Sequence, residues 1–208
     1  MQPIEYFYSA HSSYTWLGSA RFAEIASASG RTVIHKPVDL DGVLEGAGST
    51  AFSERSEKFR SYFFFRELQR WSEYRDAPIL GRPQYHHHDP ALANCMIIAA
   101  QQDRLDPQPL AHALLRSHWS FDSDLADAAT LNRVATEAGF DGTGLLSSAC
   151  TQAVRDELSR NTDEAIERSM FGAPTYFVDG DMFYGQDRLE LVERALAQPF
   201  KREWSAQS

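Results

Sequence analysis

The chain has 208 residues, of which 43% are hydrophobic, 12% aromatic and 24% charged, a globular composition that argues against disorder, collagen and low-complexity repeats. Its formal net charge of −9 disfavours general binding to nucleic acid phosphates or anionic membrane surfaces. No apolar run reaches the roughly 18 residues of a membrane span. We therefore expect neither a nucleic acid nor a membrane as a partner.

The cysteines and the N-terminal residues indicate the cellular compartment of the protein. Cys95 and Cys150 stand far apart and form neither a Cys-x-x-Cys pair nor a zinc-ligand spacing. Residues 1–5 contain no basic segment and no long apolar stretch, so they do not resemble a secretory signal. We expect a cytoplasmic protein without structural disulfides.

The first forty residues have the pattern of a strand, a helix and a second strand. Alternating aromatic and aliphatic residues over 4–8 predict a buried strand. Apolar residues that recur at about 100° per residue predict a helix over 14–29, and Gly30 supplies its stop. The second strand covers residues 33–38 and is broken by Pro37.

Residues 41–165 have the pattern of successive helices. Asp89 and Pro90 resemble the N-cap and the first residue of one of them, because an aspartate side chain accepts the unpaired amide protons of a helix start. Further helical patterns cover residues 92–102, 107–117 and 126–138, and a long helix carries Val154, Leu158, Ala165 and Ile166.

The end of the chain returns to strands. Residues 175–178 and 182–184 are rich in aromatic and β-branched side chains, and they flank Asp179-Gly180. This arrangement is a strong signal for a hairpin with a two-residue turn. A last helix begins near Gln186.

The elements follow one another in the order of the thioredoxin fold: βαβ, then helices, then ββα. A right-handed βαβ crossover followed by an antiparallel hairpin gives a mixed four-stranded sheet with helices packed on it. We therefore predict an α/β protein in which residues 1–40 and 166–208 form a thioredoxin-like domain. Residues 41–165 form a large all-helical insertion domain.

Two serines, Ser12 and Ser13, join the first strand to the first helix. A helix N-terminus offers unpaired amide groups and a partial positive charge, so a hydroxyl placed there can help to hold a thiolate or another anion. The alternative is that one of these serines only caps the helix.

Two later loops carry candidate ligand-binding residues. Ala173-Pro174 precedes the third strand, and a cis bond there would present the backbone of Ala173 to a peptide-like ligand, whereas a plain trans turn is the alternative. At the last helix, Gln186 and nearby amides suit a carboxylate and Asp187 suits an ammonium group, which are the groups of a γ-glutamyl moiety. The alternative is that Asp187 only complements the helix dipole.

Other reactive side chains receive simpler interpretations. Residues 86–88 are three adjacent histidines that cannot all point the same way, so a surface loop with a cap at Asp89 is favoured over a metal site. Cys95 and Cys150 are interpreted as buried, unreactive thiols. The aromatic residues 62–65 belong to the core or to a dimer interface, or line an apolar substrate pocket.

Several segments of the chain together carry a family resemblance. They are Phe7-Tyr8, Ser12-Ser13-Tyr14-Thr15-Trp16-Leu17-Gly18, Lys36-Pro37-Val38-Asp39-Leu40, Phe171-Gly172-Ala173-Pro174-Thr175-Tyr176-Phe177-Val178-Asp179-Gly180 and Gly185-Gln186-Asp187-Arg188. Their order and spacing resemble the DsbA-like branch of the thioredoxin fold. The whole chain is similar to the family of 2-hydroxychromene-2-carboxylate isomerases and kappa-class glutathione transferases.

This resemblance implies a function and a set of site residues. Ser12 takes the place of the first redox cysteine and hydrogen-bonds the sulfur of glutathione, the implied cofactor. Pro174 is the cis-proline, and the backbone of Ala173 pairs with the cysteinyl unit. The γ-glutamyl end is held by Gln186, Asp187 and Arg188. The implied protein is a homodimeric, glutathione-dependent isomerase that acts on a small conjugated intermediate of aromatic degradation by reversible thiolate addition.

The chain also departs from the family pattern. Ser13 stands where the family has proline, so Ser12 and Ser13 could exchange roles. Glu45 and Ser49 stand where the family usually has lysine and asparagine, so a positive charge and an amide are missing. Two other interpretations stay open: a kappa-like transferase that consumes glutathione, and a non-catalytic thioredoxin-fold binding protein.

Overall fold

A computed structural model describes residues 2–49 and 54–201, and it contains one mixed four-stranded sheet. The strands are β1 (Ile4–Tyr8), β2 (Val33–Pro37), β3 (Thr175–Val178) and β4 (Asp181–Tyr184), in the spatial order β2-β1-β3-β4. β1 runs parallel to β2 and antiparallel to β3, and β3 pairs antiparallel with β4. The predicted thioredoxin fold is confirmed.

Helices occupy most of the chain between β2 and β3. The helices are α1 (Ser13–Ser29), α2 (Leu40–Gly46), α3 (Glu57–Arg60), α4 (Leu68–Arg75), α5 (Ala91–Gln102), α6 (Gln108–Phe121), α7 (Ala128–Glu137), α8 (Gly142–Ala149), α9 (Gln152–Glu167) and α10 (Leu189–Ala197). A π-helix (Ser61–Glu67) joins α3 to α4, and a 3-10 turn (Gln186–Arg188) precedes α10. None of the helices built from the described residues has the length and apolarity needed to cross a membrane.

Some predicted boundaries are wrong by one residue, and capping explains why. α1 begins at Ser13, because Ser12 is the residue whose side chain caps it. α5 begins at Ala91 and not at Pro90, although Asp89 does accept a hydrogen bond from the Ala91 amide at 2.9 Å. Pro37 is the last residue of β2 rather than a break within it.

Alternate residues of β1 enter two separate cores, one on each face of the sheet. Tyr6 stacks against Tyr8 and Tyr176 with ring centroids 4.2 and 5.1 Å apart, and all three rings are fully buried. On the opposite face, Phe7 packs against Phe177. Since each buried large apolar side chain contributes about 1.5–3 kcal/mol, β1 is firmly held up to the point where the chain turns into α1.

The hairpin between β3 and β4 has the predicted two-residue turn. Asp179 and Gly180 have φ values of 51° and 85°, and two successive positive φ values define a type I′ turn. The Asp179 carboxylate also accepts two hydrogen bonds from Arg31, at 2.8 and 3.1 Å. The hairpin is therefore tied to the segment that leads into β2.

The main hydrophobic core contains side chains from both of the predicted domains. It joins side chains of β1, α1 and α10 to side chains of α5, α6, α7 and α8. The boundaries at residues 40 and 166 follow the order of elements, and they stay a prediction. Residues 202–208, the end of the predicted second segment, lie outside the described residues.

Candidate active site

Ser12 lies at the junction of β1 and α1 and is almost completely buried. Its Oγ accepts a hydrogen bond from the Thr15 amide at 3.3 Å, so Ser12 is the N-cap of the helix. The first turn of α1 contains no acidic residue, and its partial positive charge is therefore not neutralised from within the helix. The residue that caps the helix thus stands at its partly positive end.

The loop before β3 faces this serine. The Ala173-Pro174 peptide bond is cis, as the family resemblance implied, and not the trans turn that the residues alone left as the alternative. The Ser12 hydroxyl donates a hydrogen bond to the Ala173 carbonyl at 3.4 Å, which is a long contact. Two bonds hold the loop on either side: the Thr175 hydroxyl donates to the Gly172 carbonyl, and the Gly185 amide donates to the Pro174 carbonyl, both at 2.8 Å.

A cavity of about 800 Å³ opens beside Ser12. Ser12, Ser13 and Ala173 belong to its wall, so the structure brings the first two predicted loops together at one cavity. Most of the remaining wall is aromatic or aliphatic, and it includes Tyr14, Leu40, Leu44, Phe59, Phe63, Phe64, Phe65, Leu68, Trp119 and Tyr184. Apolar walls with a few polar groups at one end are typical of small-molecule sites.

The π-helix supplies much of that aromatic wall. Phe63, Phe64 and Phe65 follow one another on it and all line the cavity. The backbone hydrogen bonds of the π-helix span five residues instead of four, and such segments are rare and occur frequently at functional sites. The aromatic residues 62–65 are therefore assigned mainly to a pocket wall, one of the alternatives that the sequence left open.

Three arginines and two acidic residues stand around the same cavity. Arg55 lies over the ring of Phe59 and Arg82 over the ring of Phe65, with guanidinium-to-centroid distances of 4.9 and 5.0 Å. The charged residues of the wall are Asp41, Arg55, Glu57, Arg60 and Arg82. In a chain of net charge −9, this local excess of positive charge favours a carboxylate or another anion.

The third predicted loop lies beside the cavity rather than in its wall. Gln186 is buried, and its side-chain oxygen accepts a hydrogen bond from Arg75 at 3.3 Å. The Asp187 carboxylate is partly exposed and pairs with Arg188 at 2.7 Å. The charge of Asp187 nevertheless reaches the cavity, because it helps burial to raise the pKa of Tyr184, a wall residue.

Sequence reasoning missed a cluster of histidines on the other side of Ser12. His11 and His86 line the cavity with ring centroids 5.4 Å apart, and His86 Nδ1 lies 3.1 Å from His118 Nε2. Burial is the main cause that lowers the pKa of His11 to about 3 and that of His86 to about 4. Two sequence signals were available: the position of His11 next to Ser12, and the histidines at 86–88, which were interpreted as a surface loop.

The other residues singled out from the sequence lie away from this site. Cys95 is buried, as predicted, whereas Cys150 is exposed at the C-cap of α8, so its predicted burial is wrong. Glu45 and Ser49 are not part of the cavity wall. Within the described residues, no group of three or more His, Cys, Asp or Glu side chains is arranged to hold a metal ion.

Comparison with known proteins agrees with this geometry. The model of the DSBA-like thioredoxin domain matches residues 3–197. The chain belongs to this family. It has no cysteine at the start of α1, where Ser12 and Ser13 stand, so its own thiols cannot carry out disulfide exchange at that position.

Within this family, the chain is similar to two named groups of proteins. The chain is 25% identical to a 2-hydroxychromene-2-carboxylate isomerase of Sphingobium xenophagum, over 93% of this chain and 97% of the relative. It is 23% identical to human glutathione S-transferase kappa 1, over 94% and 91%. A solved 2-hydroxychromene-2-carboxylate isomerase superposes with a TM-score of 0.81 at 21% identity, covering 95% of both chains. The predicted family relationship is confirmed.

Proposed function

We propose that this protein is a glutathione-dependent isomerase that acts on a conjugated aromatic-degradation intermediate. One observation carries the proposal: the buried Ser12 hydroxyl stands at the N-terminus of α1, against the Ala173 carbonyl and beside an aromatic cavity. Relatives named as isomerases and as a kappa-class glutathione transferase support it, because both names attach to chains of this length and family.

The residues at this junction fit the chemical groups of glutathione. Ser12 would donate a hydrogen bond to the sulfur, and the backbone of Ala173, next to Pro174, would pair with the cysteinyl unit. The partly exposed carboxylate of Asp187 would take the ammonium group. Gln186 contributes a buried side-chain amide nitrogen without a partner among the described residues. With Arg188, these two residues would hold the γ-glutamyl end.

The free energies are sufficient for the proposed role of Ser12. A free thiol has a pKa near 8.5, and lowering it by about 1.5–2 units requires about 2–3 kcal/mol. A hydrogen bond to a charged acceptor is worth about 1.5–3 kcal/mol, and a helix N-terminus about 0.3–1 kcal/mol. When bound, glutathione would supply a thiolate that adds reversibly to a conjugated carbonyl compound and leaves after the former double bond has rotated.

The cavity wall favours an aromatic, anionic substrate. Rings on the π-helix offer stacking contacts, and Arg55, Arg60 and Arg82 offer partners for a carboxylate.

Substitution of the two serines tests the proposal. Ser12→Ala should lower turnover about 100-fold or more and raise the pKa of the bound thiol, measured by ultraviolet absorbance of the thiolate. The loss of the cap should cost only about 1 kcal/mol of unfolding free energy, so the variant stays folded. Ser13→Ala is the matched control and should retain activity.

Two outcomes would contradict this assignment. If the wild-type protein gives no heat and no thermal shift with glutathione, the non-catalytic interpretation holds. If Ser13→Ala rather than Ser12→Ala loses turnover, the two serines have exchanged roles.

The kinship with a kappa-class transferase gives a second candidate activity. A transferase forms a stable conjugate and consumes glutathione, whereas an isomerase returns it. Glutathione concentration, followed against substrate loss in one reaction, separates them. We expect it to stay constant while substrate disappears, and a one-to-one decrease would establish the transferase.

We also propose that the protein is a cytoplasmic homodimer, as the resemblance implies. Tyr62 and Phe63 are 49% and 40% exposed and lie next to each other on the π-helix, an arrangement that suits a subunit contact. Light scattering on the purified chain tests this, and a mass of one chain at micromolar concentration would exclude the dimer.

A further inference from the structure

We propose that His11 is a neutral hydrogen-bond donor that binds the carbonyl oxygen of a conjugated substrate, beside the thiol site of Ser12. His11 is half-buried, directly precedes Ser12 and lines the same cavity. The proposal deepens the function proposed above, because it assigns a residue for the oxygen on which negative charge builds up when a nucleophile adds to such a compound.

The hydrogen bonds behind His11 determine which ring nitrogen carries the proton. Asn94 accepts from the Ala10 amide at 2.8 Å and donates to the Val38 carbonyl at 3.1 Å, so its amide orientation is fixed by two backbone groups. Its Nδ2 also donates to Ser9 Oγ at 3.2 Å. Asn94 therefore supplies one proton to the fully buried Ser9 hydroxyl.

The orientation of the Ser9 hydroxyl determines the tautomer of the His11 imidazole. Its hydroxyl lies 2.9 Å from His11 Nδ1, and no other acceptor for its proton is found among the described residues. A buried hydroxyl proton without an acceptor is costly, so Ser9 donates to Nδ1 and the His11 proton resides on Nε2. Because Ser9 occupies Nδ1 and His11 lines the cavity, we infer that the Nε2 proton is offered to a molecule bound there.

The surroundings keep this ring neutral. The pKa of His11 is lowered to about 3, mainly by burial and to a smaller extent by the nearby rings of His86 and His118, beside which a second positive charge is unfavourable. His118 donates from Nδ1 to the Ser123 carbonyl at 2.9 Å and accepts from His86 Nδ1, so His86 also has a defined tautomer. A neutral imidazole whose pKa is low is a suitable electrophile for a carbonyl oxygen.

A second donor belongs to the same end of the cavity. Trp119 lines the cavity, is 2% exposed and packs on His86 at 4.8 Å. Its indole N–H has no hydrogen-bond partner in the part of the chain that the structure describes. Buried donors normally have partners, so an unpaired one at this place indicates a ligand that carries an acceptor.

Binding of simple probes to the glutathione-free protein tests the proposal. Benzylideneacetone has an aromatic ring and a conjugated carbonyl, and (E)-1-phenylbut-1-ene keeps the same carbon skeleton and double bond but has a methylene group in place of the carbonyl. We expect His11→Leu to weaken binding of the ketone about three- to tenfold and to leave binding of the hydrocarbon unchanged. His11→Gln, which retains a distal N–H donor, should restore ketone binding, and His87→Gln on the exposed loop is the control.

Nitrogen NMR of the imidazole gives a readout without any ligand. The wild-type His11 should remain neutral with its proton on Nε2 from pH 5 to 8. In Ser9→Ala the proton should be shared between Nδ1 and Nε2, because the hydroxyl that donates to Nδ1 is gone. A proton on Nδ1, or equal loss of both probes in His11→Leu, would overturn the proposal. Since neither measurement uses glutathione, failure of the proposed isomerase activity would be recognised separately by the glutathione titration.

Discussion

The two sides of the cavity are built in opposite ways. On the side of β1 and α1, Ser9, Ser12 and Asn94 are buried, and each makes at least two hydrogen bonds within the protein. On the other side, α3 and the π-helix contain no buried residue at all, and Phe63 is 40% exposed. The wall beside β1 and α1 is held by buried hydrogen bonds. The wall formed by α3 and the π-helix lies at the surface and is held by contacts between aromatic rings.

This difference suggests a division of labour between the walls. A proton donor or a thiol site must be held to within a fraction of an ångström, which requires buried side chains with fixed partners. A wall that only selects the shape of a ring tolerates looser packing. Substitutions on the two sides should therefore separate effects on chemistry and stability from effects on substrate choice.

The largest effect is expected at Asn94 on the buried side. Asn94→Ala leaves the Ala10 amide and the Val38 carbonyl buried without a partner, and each such group costs about 1–3 kcal/mol. We expect the free energy of unfolding to fall by about 4 kcal/mol in urea denaturation. Asn132→Ala, which removes only bonds near the surface, should cost less than about 1 kcal/mol. Equal losses in the two variants would refute the comparison.

A smaller effect on the free energy of unfolding is expected at low pH, because of a histidine that is buried in the folded protein. Burial lowers the pKa of His35 to about 4, while Tyr8 contacts its Nδ1 at 2.8 Å. The unfolded chain binds this proton near pH 6.5, so between pH 6.5 and 4 it binds more protons than the folded protein. Stability should therefore fall as the pH drops through this window, by about 3 kcal/mol from this residue.

Denaturation at a series of pH values measures that slope. His35→Gln should flatten it, whereas His87→Gln, a substitution on the exposed loop, should leave it as in the wild type. His11 and His86 act in the same direction, so some slope remains in His35→Gln. A slope that is identical in wild type and His35→Gln would show that this ring is protonated in the folded state.

The smallest effect on stability is expected on the aromatic wall. Phe63→Ala removes a ring that is already partly in water, so the unfolding free energy should change by less than about 1 kcal/mol. The KM for an aromatic substrate should rise about three- to tenfold, the value of one ring contact, with glutathione binding unchanged. Phe121→Ala, an exposed aromatic away from this cavity, should change neither quantity.

The sequence predicted what depends on local pattern. Alternation in β1, the Asp179-Gly180 turn and the serines at the start of α1 are local signals, and the structure contains each of these elements. The π-helix could not be predicted, because its aromatic residues fit an ordinary helix equally well. The link between Asn94, Ser9 and His11 joins residues up to 85 positions apart, and one sequence carries no signal for such a contact.

The position of Asn94 also determines how far this chain can be shortened. The residue belongs to α5, in the middle of the predicted insertion, yet its amide supports the loop that carries His11 and Ser12. Excising the helices to obtain a minimal sheet protein would remove that support along with most of the cavity wall. The helices between β2 and β3 thus support the loop beside the cavity, and a shortened version would need a replacement amide at the same place.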